Sequence, residues 1–223
     1  MMNALLVLSG GMDSTSMLYA YRNGIRLAVN FHYGSNHNDR ERESARYHCG
    51  KLGIELVEID LDFMTRYFSS SLLSGADAIP EGSYDSENIR STVVPFRNGI
   101  MLSIAAGLAE SRGLDTVMLA NHAGDHAIYP DCTPAFAEAM DKAIEAGTYP
   151  GIRLYTPFTH LTKAEIARKG ADAGLDPCQT YSCYKGGETH CGRCATCVER
   201  HEAILTAGLP DTTPYQSTEL LTK

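Results

Sequence analysis

Residues 3–8 constrain the chain more than any other stretch: a short, almost unbroken apolar run that stops abruptly at Ser9-Gly10-Gly11. Such a run suits a strand covered on both faces, the signature of a parallel sheet rather than of an antiparallel one with a wetted face. The pattern then repeats. Residues 13–21 read as a helix, 26–31 and 55–60 as strands, and 38–52 as a polar helix stopped by Gly53. A third helix is expected over 98–111 and a fourth strand over 116–120, ending at Asn121-His122. Thr162-Lys163-Ala164-Glu165 has the capping-box spacing and opens a helix through Ala173. Strands alternating with helices predict an α/β fold, a parallel sheet flanked by helices, whose ligands gather at the carboxyl ends of the strands.

A chain of 223 residues should bury roughly 70% of its extended surface, so the sheet needs no covalent staple. The seven cysteines therefore call for another explanation. Four of them, Cys183, Cys191, Cys194 and Cys197, crowd into fifteen positions, and tetrahedral thiolate ligation of Zn²⁺ accounts for all four. A closed four-thiolate site has no open coordination position, so the metal would be structural; an iron–sulfur cluster and a redox Cys-x-x-Cys are the competing readings. Pro177 marks the hand-over, dividing a nucleotide-binding α/β domain (1–176) from a C-terminal zinc-binding segment (177–223) packed on it. The net charge of −8 repels phosphate backbones and disfavours a nucleic-acid partner. The N-terminus has no basic leader and no apolar stretch approaches about 18 residues, so the expectation is a cytoplasmic protein without a membrane span. Residues 69–95, rich in Ser and Gly and poor in periodicity, are a candidate lid.

Ser9-Gly10-Gly11-Met12-Asp13-Ser14 falls between a strand and a helix, where unpaired N–H groups and the positive end of the helix dipole face outward. Glycine permits close approach and positive φ, and the two serine hydroxyls add donors, so pyrophosphate is the best-fitting guest. Asp13 alone would repel it and is expected to hold Mg²⁺ bridging phosphate oxygens. The plainer reading is a Gly-Gly turn capped by Asp13 or Ser14. A Walker P-loop and a dinucleotide fingerprint are both missing. Asn121, His122 and Asp125 lie just past the fourth strand, where a reacting group is expected.

The Ser-Gly-Gly-Met-Asp-Ser loop resembles the pyrophosphate loop of N-type ATP pyrophosphatases. The Cys-x7-Cys-x2-Cys-x2-Cys tail, Tyr33-Gly34 with His37, residues Val94-Pro95-Phe96-Arg97-Asn98, and Tyr129-Pro130-Asp131-Cys132 resemble the QueC family within that superfamily. The resemblance implies a Rossmann-like fold of the adenine nucleotide alpha hydrolase type. It also implies a ligase that converts 7-carboxy-7-deazaguanine, ATP and ammonia into 7-cyano-7-deazaguanine, a queuosine precursor, through an adenylated carboxylate and an amide. On that reading Leu8, Ser9, Gly10, Gly11, Met12, Asp13 and Ser14 bind ATP. Tyr129 stacks on the deazapurine and Asp131 accepts from its N–H groups, with Pro130, Asn121 and His122 beside them. Ser9, Asp13, Asp125 and Arg97 are the catalytic candidates, Arg97 neutralising the substrate carboxylate or a phosphate. Ammonia would come free or from a separate supplier, and a homodimer is implied. Two departures from the family pattern bear on the pocket: Phe96 stands where Gly is usual, and His126-Ala127-Ile128 replaces a Phe-Ser-Gly-like step. The rival readings are an adenylating tRNA-thiolating enzyme using Cys132, a non-enzymatic zinc-bearing adaptor that binds nucleotide as a regulator, and a relative that passes the activated acid to another acceptor.

Overall fold

The computed structural model describes residues 2–73, 79, 81–82, 87–122 and 129–221. The chain runs β1 (Ala4–Val7), α1 (Met12–Ala20), β2 (Ile25–His32), α2 (Asn38–Leu52), β3 (Glu55–Asp60) and α3 (Phe63–Tyr67). A 3-10 helix at Glu87–Thr92 leads to α4 (Arg97–Ser111) and β4 (Thr116–Met118), and a 3-10 turn at Pro130–Cys132 to α5 (Pro134–Gly147) and β5 (Arg153–Tyr155). Last come α6 (Lys163–Asp172), a 3-10 turn at Pro177–Gln179, and α7 (Ala195–Thr206). The five strands form one sheet in the order β3-β2-β1-β4-β5, every pair parallel.

The opening run is apolar because β1 is the central strand. Leu5 and Val7 face one core with Val29, Leu102 and Val117, while Ala4, Leu6 and Leu8 face another with Met17, Leu18, Ala45 and Ile166. The chain winds outward from β1 in one direction to β2 and β3 and in the other to β4 and β5, so β1 and β4 flank the topological switch point where ligands of such sheets bind.

Four elements have no counterpart in the sequence reading: the short helix α3, helices α5 and α7, and strand β5. Helix α5 starts at Thr133, whose hydroxyl accepts from the Phe136 amide, with Pro134 at the first helical position. Strand β5 is three residues of edge strand with both end residues exposed. Residues 90–111 have the length and mean hydropathy (1.3) of a crossing helix. They are half buried, and Met101, Leu102, Ala105 and Ala106 pack under the sheet, so composition here reflects a core helix.

Residues 69–95 fall only partly within the described set. Ser70, Ser71, Leu72 and Leu73 are buried, and the Ser71 amide donates to the Ser91 carbonyl at 2.8 Å. Phe96 carries φ +50, a left-handed conformation that favours glycine; its ring fits only because Gly99, where a Cβ would lie 2.3 Å from it, has none. The replaced step His126-Ala127-Ile128 lies outside the described residues.

Candidate functional site

The amide of Asn30 on β2 donates to the carbonyls of Leu8 and Ser9, both at 2.9 Å, fixing where β1 ends. Gly10 then takes φ +102, and a Cβ there would lie 2.0 Å from the Glu41 carbonyl of α2. The loop is therefore pressed against α2. The Ser44 hydroxyl donates to the Gly10 carbonyl at 2.8 Å, and the Tyr181 amide donates to it at 3.3 Å. Ser9 and Ser14 share a hydroxyl hydrogen bond of 3.0 Å, and the Ser9 hydroxyl accepts from the Gly11 amide at 3.1 Å. No side chain caps α1, whose first intrahelical bond is donated by Thr15. The amides of Met12, Asp13 and Ser14 are thus left without intrahelical acceptors at the positive end of the dipole.

Asp13 stands over those amides. Its Oδ2 lies 3.6 Å from Lys163 Nζ and 3.5 Å from His122 Nε2, and Lys163 also pairs with Glu199 of α7. Burial alone would raise the Asp13 pKa, but Lys163 and His122 outweigh it and hold the carboxyl at about 2. Its second oxygen, Oδ1, is buried without a hydrogen-bond partner among the described residues, which suits a carboxylate awaiting a cation. The capping box places Lys163: the Thr162 hydroxyl accepts from the Glu165 amide and the Glu165 carboxylate accepts from the Thr162 amide, so the next residue projects from the first turn of α6.

These groups share one cavity of about 200 Å³ over the carboxyl ends of β1, β2 and β4, lined by Leu8, Phe31 and Leu119. The same cavity is lined by Arg97, Tyr33, His37, Tyr129 and Tyr184, and by Glu41, which adjoins the loop: a Cβ at Gly11 would lie 3.4 Å from its Oε1. Arg97 donates to the Tyr33 hydroxyl at 3.1 Å and sits over its ring at 5.6 Å. Burial works against the Arg97 charge, yet Tyr33, Cys132 and Tyr184 with Asp131 keep it protonated far above neutrality. Burial, with Arg97 nearby, pushes His37 down to about 3. It pushes Glu41 up to about 7 although Arg97 pulls the other way. The Tyr129 hydroxyl bonds with those of Thr92 (3.0 Å) and Tyr184 (3.3 Å). The Asn121 amide lines the same space and donates to the Cys132 carbonyl at 2.8 Å.

Most of the residues singled out from the sequence therefore converge, and some do not. Leu8, Ser9, Gly11, Met12, Asp13, Ser14, Arg97, Asn121 and Tyr129 line the cavity; His122 lies behind Asp13, and Gly10 is spent on packing. Pro130 is exposed. Asp131 is 7% exposed, and its carboxylate accepts from the Asn98 amide at 2.8 Å, tying down the start of α4 instead of facing the cavity. Cys132 Sγ accepts from Asn98 Nδ2 at 3.2 Å. Asp125 lies outside the described residues. Sequence reasoning missed Lys163, Glu41 and Tyr33 as wall residues, and Tyr181, Ser182 and Thr196, which reach the cavity from the cysteine segment.

In that segment Cys183, Cys191, Cys194 and Cys197 are all buried, with ligand atoms within 4.8 Å of one another. Sulfur separations of 3.5, 3.9 and 4.0 Å are too long for disulfides and match the edge of about 3.8 Å that a tetrahedron with 2.3 Å metal–sulfur bonds requires. The amides of Arg193 and Cys194 donate to Cys191 Sγ at 3.3 and 3.2 Å, and Gly192 makes the turn at φ +70. The cluster could hold a metal ion. Arg200 ties the segment together from within: fully buried, it donates to the Thr180 and Ser182 hydroxyls and the Pro177 carbonyl at 2.9, 3.0 and 2.6 Å.

Comparison with known proteins places these features in context. The model of the family described as queuosine biosynthesis protein QueC matches residues 3–208. A 7-cyano-7-deazaguanine synthase of Porphyromonas gingivalis is 56% identical over 96% of this chain and 97% of its own. Enzymes of the same name from Desulfotalea psychrophila (48% identical, 96% of this chain and 99% of its own) and Paracoccus denitrificans (43%, 98% and 95%) also match. Among solved structures, NMN synthetase from Francisella tularensis superposes with a TM-score of 0.49 at 13% identity, over 93% of this chain and 78% of that one.

Proposed function

The chain belongs to the QueC family, and from that premise we propose how its cavity carries out the family's synthesis of the queuosine precursor 7-cyano-7-deazaguanine from 7-carboxy-7-deazaguanine, ammonia and ATP. The observation that carries the reading is that an uncapped helix start with Asp13 and Lys163 shares one cavity with a buried, protonated Arg97 among tyrosines. The first half suits a polyphosphate and the second a planar acid.

A carboxylate resists ammonia because oxide is a poor leaving group. Transfer of the nucleotidyl group forms a new bond from the carboxylate oxygen to the α-phosphorus and breaks the bond to pyrophosphate. The amides of Met12, Asp13 and Ser14 and the Lys163 ammonium balance the charge on the departing pyrophosphate. Mg²⁺, when bound, neutralises phosphate oxygens, and Asp13 Oδ1 is the atom that would hold it. Arg97 draws the substrate carboxylate to the adenylation point, and Tyr129 and Tyr184 hold the ring between aromatic faces. Ammonia then forms the carbon–nitrogen bond, AMP leaves and a proton is lost. The resulting amide oxygen is adenylated in turn, releasing a second pyrophosphate, and loss of AMP and of both N–H protons leaves the nitrile. Asn121 stands at the switch point beside the reacting carbon, and Asp125, outside the described residues, keeps the catalytic role that the family resemblance gives it. Asp131 contributes by fixing the start of α4 and hence Arg97. The four cysteines would hold Zn²⁺, and the site so closed would fix Tyr181, Ser182, Tyr184 and Thr196 as a cavity wall. The net charge of −8 supports a small-molecule substrate over tRNA, and the implied homodimer is read by sedimentation.

Incubation of the purified protein with the deazapurine acid, ATP, Mg²⁺ and ammonium should release pyrophosphate only when the acid is present and should yield the masses of amide and then nitrile. Release independent of the acid, or stimulated by tRNA in its place, would overturn the reading.

A further inference from the structure

The reading above needs an acceptor for the pyrimidine side of the substrate, because a guanine-like ring presents two acceptors followed by two donors. The sequence runs from the C7 carboxylate through the C6 carbonyl to N1–H and the 2-amino group. Asp131 cannot serve, since its carboxylate is committed to the Asn98 amide. Among the described residues that line the cavity, only Asp13 and Glu41 are acids, and Asp13 is held by Lys163 and His122 on the phosphate side. Glu41 differs. Its carboxylate has no hydrogen-bond partner among the described residues, its nearest charge-capable neighbour being His37 Nε2 at 3.7 Å. Its position is dictated by the fold, because the backbone of Glu41 is the surface against which Gly10 packs. Arg97 bears electrostatically on Glu41 in the same cavity, so a cation and a carboxyl whose ionised form only accepts line one space with aromatic walls.

We propose that Glu41 reads the N1–H and 2-amino edge of the deazapurine acid, next to the Arg97 that receives its carboxylate and C6 carbonyl. A carboxylate fits two adjacent donors and mismatches the adenine of ATP, whose edge pairs a donor with an acceptor. The assignment rests on the proposed function and adds to it the group that sets substrate choice. It also accounts for an ionisable side chain held inside the protein with no hydrogen-bond partner among the described residues.

The test compares kcat/KM for the native acid and for its 2-desamino analogue in the wild type and in Glu41→Gln, with far-UV circular dichroism to confirm folding. Charge-assisted hydrogen bonds lead us to expect the wild type to prefer the native acid by about 10- to 100-fold. Gln places a donor against one of the substrate donors, so Glu41→Gln should lose most of that preference through a fall on the native acid, and Glu41→Asp, still acceptor-only, should keep it. Selectivity retained in Glu41→Gln, or lost in Asp125→Asn instead, overturns the assignment, as does equal use of both compounds by the wild type. A wild type that makes nitrile from neither would sink the proposed function itself.

Discussion

Replacing Gly10 with alanine and, separately, Gly11 with alanine should split stability from catalysis at adjacent positions. At Gly10 the added Cβ would sit 2.0 Å from the Glu41 carbonyl oxygen, 2.9 Å from its carbon and 3.0 Å from the Ala45 amide, on a backbone with φ +102. All three atoms are main chain, so no side chain can swing away and α2 must retreat by more than an ångström. That helix is pinned by the Ser44 bond to Gly10 and the His48 bond to the Tyr19 hydroxyl at 3.0 Å. Backbone strain of about 1–2 kcal/mol and overpacking of about 1–3 kcal/mol give a loss of about 2–5 kcal/mol. For a chain of this size that lowers Tm by about 4–20 °C. At Gly11 the nearest atom is a side-chain oxygen, Ser9 Oγ at 3.2 Å, and φ is −70. Gly11→Ala should therefore melt within about 1 kcal/mol of the wild type yet release pyrophosphate poorly, because its methyl narrows the mouth of the loop. Calorimetric melting and pyrophosphate release measured on both variants decide the matter. A Gly10→Ala protein melting within about 2 °C of the wild type would refute the close-approach argument.

Asp13 gives a prediction in acid. Its folded pKa of about 2 lies below the ordinary 3.8, so its contribution of about 2 kcal/mol is fully present above pH 4 and is lost as the pH falls through the folded value. The stability gap between the wild type and Asp13→Asn, followed by denaturant titration from pH 5 to pH 2, should narrow over that window; a pH-independent gap contradicts it. The cysteine site should bind one equivalent of zinc per chain. Cys197→Ser, or chelation, should abolish turnover while far-UV dichroism shows the sheet retained, since the ligands lie outside β1 to β5; full activity in zinc-free protein contradicts the role given to that wall.

Local signals carried the sequence reading where one residue's chemistry decides the outcome. The apolar run of β1, the glycines after it, the Thr162–Glu165 capping box and the cysteine spacing each encode their own structure. What stayed hidden depends on distant partners. Glu41 reads as one more charge on a polar helix, and only the approach of Gly10 buries it. Lys163 reads as the second letter of a capping box until α7 brings Glu199 to it. Asp131 has the right inventory to recognise a purine, but the Asn98 amide, thirty-three positions away, claims it. Strand β5 is too short and too exposed to announce itself, although the Thr133-Pro134 start of α5 was a usable signal.

The central claim is that the bend after β1 grips the pyrophosphate of ATP. A crystal structure with a non-hydrolysable ATP analogue and Mg²⁺ tests it directly. Its β- and γ-phosphate oxygens should lie about 3 Å from the amides of Met12, Asp13 and Ser14, with Lys163 against them and the metal on Asp13 Oδ1. Phosphates lodged elsewhere in the cavity, with those amides facing only water, would contradict the account.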